Sequence, residues 1–254
     1  FVCACGTCLV CEAGNHQVCP HQWQPGFDGW GGFAEYVAVP SADVNLVRLP
    51  SDIPSATAAA LGCRVATAYR ALALVARVQA GEDVVVHGCG GVGLAAVMVG
   101  RALGARIIAV DPSAAARERA VALGAATGLS PDDATPDALR DITGLGPAVT
   151  IDALGDARIC RSAIESLRPR GRHVQIGLLP PPQSVEAVPM PVVISRELQI
   201  LGSHGMAAHD YPELLDMVRS GRLRPDLLIG RTISLDDTPA AFALIGTPEQ
   251  PPGM

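Results

Sequence analysis

The run Gly88-Cys-Gly90-Gly91-Val92-Gly93 constrains this chain more than any other stretch of it. A G-x-G-x-x-G spacing alone is a common turn. Here it follows the β-branched run Asp83–His87 and opens the apolar segment 92–103, which reads as a helix. A strand turning directly into a helix uses such glycines in three ways. The first permits the tight turn, the second lets backbone approach a pyrophosphate, and the third lets helix pack against strand. The helix N-terminus adds partial positive charge. Asp111 ends the next expected strand, 23 residues after Gly88. A carboxylate there accepts hydrogen bonds from ribose hydroxyls and repels a 2′-phosphate, which favours NAD over NADP. Arg117, in the following helix, is read as solvated rather than bound to phosphate.

Beyond the loop the pattern keeps alternating. Strands are expected at 106–110, 148–153, 172–176 and 198–201, with helices at 113–123 and 158–167. Units of this size imply an α/β fold, a doubly wound parallel sheet with helices on both faces. The flanks differ. Residues 1–50 are rich in glycine, proline and cysteine, and the alternation over 33–39 reads as a half-buried strand. Residues 55–78 read as helical, as do 209–220 and 238–245.

Five of the eight cysteines fall within the first 19 residues. Cys5, Cys8, Cys11 and Cys19 are separated by two, two and seven residues, a spacing that can close four thiolates around one tetrahedral Zn²⁺. Such a shell leaves no open coordination position, so it staples a loop and does no chemistry. A disulfide framework suits small secreted chains better, and zinc in a reducing cytoplasm is the better account here. With 49% hydrophobic and 17% charged residues, the 254-residue chain can bury a sizeable core. The net charge of −6 without a basic patch argues against nucleic acid. No apolar run is read as approaching the ~20 residues of a membrane span.

Taken together, the cysteine lobe, Leu61-Gly-Cys63-Arg-Val-Ala-Thr67-Ala-Tyr69 and His87-Gly-Cys-Gly-Gly-Val-Gly93 resemble the zinc-dependent alcohol dehydrogenases of the medium-chain dehydrogenase/reductase superfamily. The resemblance implies a GroES-like catalytic domain, 1–64 with 204–254, interrupted by a Rossmann-type NAD-binding domain, 65–203, with the active site in the cleft. It implies that Cys63 is a ligand of a catalytic zinc, separate from the structural zinc of the 5–19 lobe. It sets Thr67 and Val92 beside the nicotinamide ring, and Ile176, Gly177 and Ser203 along the same pocket. Gly88, Gly90, Gly91, Val92, Gly93 and Asp111 then form the cofactor loop. The remaining zinc ligands and the proton relay are expected upstream of Phe1, so the chain is read as a fragment, inactive by itself. His16, His21, His204 and His209 are not taken as substitutes. Large aromatics such as Trp23, Trp30 and Tyr69 fit core packing as well as a substrate wall.

The implied activity is reversible oxidation of an alcohol to an aldehyde or ketone by hydride transfer to NAD. The implied partners are a small alcohol or aldehyde and further copies of the chain in a dimer or tetramer. Two alternatives stand beside this. One is a zinc-free quinone or enoyl reductase of the same superfamily, whose members usually lack both the lobe and Cys63. The other is a non-catalytic zinc-binding interaction module with a vestigial nucleotide fold.

Overall fold

The computed structural model describes residues 2–179, 181 and 187–247. Two compact units result, Phe1–Ala66 with His204–Met254, and Thr67–Ser203.

Within Thr67–Ser203, six strands form one sheet in the order β3-β2-β1-β4-β5-β6. They are β1 (Asp83–His87), β2 (Arg106–Val110), β3 (Thr127–Leu129), β4 (Val149–Asp152), β5 (Arg172–Gln175) and β6 (Gln199–Gly202). All five pairings are parallel. Chain order reverses between β1 and β4, and crevices at such a switch point, beyond the carboxyl ends of the strands, are where open α/β sheets bind ligands. Strands buried on both faces need β-branched residues throughout, which is why Val84, Val85 and Val86 are fully buried in series.

The intervening helices carry local stop and start signals. Ser113, Thr135 and Asp156 each accept a backbone N–H of the first turn that follows, opening helices Ala114–Ala122, Pro136–Thr143 and Ala157–Ser166. Helix Gly91–Ala102 packs on β1 and β2. On one face Val85, Ile108, Val110, Ala134 and Leu139 form a core cluster. A second cluster gathers Cys160, Ile164, Leu167, Ala187 and Leu198.

Three elements of this unit were not anticipated: β3, helix Pro136–Thr143 and helix Met190–Ser195. β3 is only Thr-Gly-Leu and is made by pairing with β2, so no local periodicity announces it. Helix Pro136–Thr143 does carry a signal, a Thr cap followed by proline at the first position and Gly144 after the end.

The other unit contains the short helices Leu9–Glu12 and Ala42–Asn45, and later Tyr211–Arg219 and Thr238–Leu244. The expected strand over 33–39 does not form, and Phe33, Tyr36 and Val37 are exposed. A half-buried strand requires a neighbour to satisfy its backbone, and no strand among the described residues pairs with it. Trp30 is likewise exposed at 93%, against a core role, whereas Tyr69 is buried. The run beginning at Ser55 is one helix of 21 residues, Ser55–Val75, with two π-type stretches. It is therefore long and apolar enough by length and composition to cross a bilayer, contrary to the sequence reading. It carries Arg64 and Arg70, and it buries Leu61, Val65, Tyr69 and Leu72 in protein, as a core helix does.

Candidate functional site

The glycine loop lies at the carboxyl end of β1. Gly88 has φ +91°, a left-handed backbone that a side chain would strain, and a Cβ there would come within 2.6 Å of Leu154. A Cβ on Gly93 would be driven into the Gly88 carbonyl oxygen, so the helix can pack this close only with glycine. Above Gly90 there is open space. No side chain caps the first turn of helix Gly91–Ala102, leaving its N–H groups to an outside acceptor.

Asp111 is locked against this loop. One carboxylate oxygen accepts the Cys89 N–H at 2.7 Å and the other the Ser113 N–H at 2.8 Å. A carboxylate offers about four acceptor positions, so two are left unused by these bonds. Arg117 donates to the carbonyls of Asp111 and Pro112, at 2.7 and 2.9 Å, and so braces the turn. Cys89 is buried, and burial pushes its thiol up to about 12, as befits an inert packing group.

Further along the same sheet edge, Ile176 N–H and Gly177 N–H both donate to the Asp152 carbonyl. Ser203 N–H donates to the Gln175 carbonyl at 3.1 Å, and Arg70 Nη1 reaches Ser203 Oγ at 3.4 Å. Thr67 is buried at the head of this unit.

In the other unit, Cys8 sits at the N-cap of Leu9–Glu12, Cys11 lies inside that helix, and Cys19 follows a 3₁₀ turn, His16–Val18. Sulfur separations are 4.0 Å for Cys5 to Cys11, 3.9 Å for Cys8 to Cys19 and 3.6 Å for Cys5 to Cys19. A tetrahedron of thiolates about zinc has edges of ~3.8 Å, so the four sulfurs fit that ion and are too far apart for disulfides. A hydrogen bond from the Thr7 backbone pulls the Cys5 thiol down to about 6, whereas burial pushes the Cys11 thiol up to about 12. Asn45 pins the lobe, accepting Ala4 N–H at 2.7 Å and donating to the carbonyls of Ala4, Pro40 and Ser41.

Cys63 is exposed, on the π-type turn of helix Ser55–Val75. Tyr211 lies nearby, its hydroxyl donating to the Gly62 carbonyl at 3.4 Å. Among the described residues, the lobe cysteines form the one cluster of three or more ligand groups. Cys63 is not joined by a second or third ligand there, and His16, His21, His204 and His209 belong to no such cluster. His16 stacks edge-on against His209, with ring centroids 4.7 Å apart.

Comparison with known proteins gives this arrangement a family. The zinc-binding dehydrogenase family matches residues 91–220, and the alcohol dehydrogenase GroES-like domain matches residues 1–51. An alcohol dehydrogenase of Geobacillus stearothermophilus is 30% identical over 242 residues, 94% of this chain and 68% of that protein. The chain belongs to the zinc-binding dehydrogenase family. An S-(hydroxymethyl)glutathione dehydrogenase of Haemophilus influenzae is similar at 29% identity, covering 96% of this chain and 71% of that protein. Among solved structures, the alcohol dehydrogenase of Thermus sp. ATN1 superposes with a TM-score of 0.85 at 30% identity, over 96% of this chain and 73% of that one. The chain thus spans about two thirds to three quarters of the length of these relatives.

As a zinc-binding dehydrogenase, the chain combines an α/β fold of Rossmann and GroES-like type with zinc and NAD as its cofactors. Its uncapped helix turn and the open space over Gly90 suit a dinucleotide pyrophosphate, and its sulfur tetrahedron suits zinc. Sequence reasoning missed Asn45, Asp152 and Gln175. Asp152 did carry a signal, an acid closing the buried strand Val149-Thr-Ile-Asp152.

Proposed function

We propose that the whole protein oxidises an alcohol to an aldehyde or ketone, and runs the reverse reaction, with NAD held along the carboxyl edge of the Thr67–Ser203 sheet. The observation that carries this reading is the uncapped first turn of helix Gly91–Ala102, tied through the Cys89 N–H to the Asp111 carboxylate. Backbone N–H groups of Gly90, Gly91, Val92 and Gly93 hold the pyrophosphate, and Asp111 takes the adenosine ribose. Gly88 makes the turn possible. Val92, Ile176, Gly177, Ser203 and Thr67 flank the nicotinamide end, excluding water from the ring.

Cys5, Cys8, Cys11 and Cys19 hold a structural zinc, and Cys63 supplies one thiolate to a second, catalytic zinc. When bound, that zinc acts as a Lewis acid on the alcohol oxygen while NAD takes up hydride. The domain split on this reading is 1–64 with 204–254 around 65–203. Eight cysteines with no disulfide among them and zinc thiolate ligation suit a reducing cytoplasm. The assembly is a dimer or tetramer, with a small alcohol or aldehyde as substrate.

The test is zinc content together with NAD⁺-dependent oxidation across an alcohol panel. Two zinc ions per chain are expected, with one lost along with activity in Cys63→Ser. One zinc per chain, unchanged by that substitution, sinks the zinc–alcohol mechanism.

A further inference from the structure

Asp152 is fully buried at the end of β4, yet its carboxylate meets backbone and amide rather than a cation. Oδ1 accepts the N–H groups of Leu154 at 2.7 Å and Gly155 at 2.9 Å. Oδ2 accepts Gln175 Nε2 at 2.9 Å. The Asp152 main-chain carbonyl takes Ile176 N–H at 3.0 Å and Gly177 N–H at 2.9 Å. Gln175 Nε2 also donates to the Gly177 carbonyl at 2.8 Å. One residue therefore ties down the turn after β4 and the turn after β5. The two turns lie back to back: a Cβ on Gly177 would strike the Gly155 backbone nitrogen.

The direction of this network follows from donor counting. Gln175 spends its amide nitrogen on two acceptors, so its Oε1 faces His173 Nε2 at 3.1 Å. His173 Nε2 must then carry the proton, and Nδ1 accepts from Thr150 Oγ1 at 2.9 Å. Burial lowers the His173 pKa, which keeps the ring in the neutral form this chain of bonds requires. Thr150, His173, Gln175 and Asp152 thus donate each to the next, from the sheet interior to its carboxyl edge. A buried carboxylate is costly, and an apolar side chain would fill the same space more cheaply. What an apolar group cannot do is hold two loop-tip N–H groups.

We infer that Asp152, oriented by Thr150, His173 and Gln175, is a positioning residue for the nicotinamide end of the dinucleotide. It fixes the backbone of 153–155 and 176–177, against which the ring lies. This rests on the reading that NAD occupies this sheet edge.

The test uses the zinc-loaded whole protein, comparing NADH with ADP-ribose, which lacks the nicotinamide. Asp152→Asn keeps the shape but turns one acceptor into a donor, facing either the loop N–H groups or the Gln175 amide nitrogen. NADH affinity should fall about tenfold, the size of one lost hydrogen bond to a charged group, while ADP-ribose weakens by less than about threefold. kcat should fall with it. The double variant Asp152→Asn/Gln175→Glu presents an acceptor to the new donor and should recover part of the NADH affinity. Gln175→Leu leaves the carboxylate and its backbone bonds in place, so it reports even if Asp152→Asn fails to fold, and NADH should again weaken more than ADP-ribose.

Equal losses for the two ligands, or NADH affinities within about twofold of the parent, overturn the inference. A parent protein that binds neither ligand overturns the functional reading and the inference with it.

Discussion

His87 ends β1 with its ring buried and neither nitrogen hydrogen-bonded, beside Asp152 in register across the sheet. Burial pushes its pKa down to about 4; His173 pushes the same way, and Asp152 opposes it. The unfolded chain, with an ordinary histidine near 6.5, binds more protons than the folded one below that pH. The sign follows: full stability above pH 6.5, falling as pH drops toward 4, by about 3 kcal/mol from this residue. His87→Leu should flatten that acid limb, as read from denaturation midpoints at pH 7 and pH 5. An unchanged slope would mean that His87 is not the group responsible. At this scale Asp111 was legible in the sequence because its partners lie in a loop of known spacing. Asp152 was not, because its meaning depends on Gln175, 23 residues away on a neighbouring strand.

The elements of the sheet have two ends with different work. At the carboxyl end, the glycine loop after β1 leaves backbone N–H groups open. At the amino end, Glu82 gathers Arg172 at 2.5 Å, Arg168 at 3.2 Å and the Gln79 N–H at 3.0 Å, stapling the start of β1 to β5. Arg172 and Glu82 are mostly buried, at 17% and 13% side-chain exposure, so this pair is screened less than a surface one. Glu82→Gln should cost about 2 kcal/mol, since it leaves the Arg172 guanidinium poorly compensated. Thermal unfolding should register that loss while NADH affinity stays at the parent value; a large affinity loss would show that the two edges are coupled. Elements with their own periodicity or caps, such as β1 and helix Ala157–Ser166, were legible in advance. β3 was not, because three residues acquire strand geometry only from their neighbour β2.

For the whole molecule, a ligand that binds only the folded state stabilises it by mass action. At a hundredfold excess over Kd, NAD⁺ should add about 2.7 kcal/mol to the Thr67–Ser203 unit, several degrees in Tm. On the proposed placement of the adenosine ribose at Asp111, NADP⁺ at the same concentration should add far less, because the carboxylate would repel its 2′-phosphate. Differential scanning fluorimetry with both cofactors checks this, and equal shifts would remove Asp111 as the discriminating group.

The alternating α/β order, the glycine loop and the four-cysteine lobe could be read along the chain, since each depends on residues close together in it. Spacing alone can turn a strand into a helix or close four thiolates on one ion. Tertiary structure decided the rest. It arranged β3-β2-β1-β4-β5-β6, set the turns at Leu154 and Gly177 back to back, and put His87, Asp152 and Gln175 at one level on three adjacent strands. It also left 33–39 without a partner strand among the described residues, despite the alternation. Pairing between distant strands fixes all of these, and no window of sequence contains both partners.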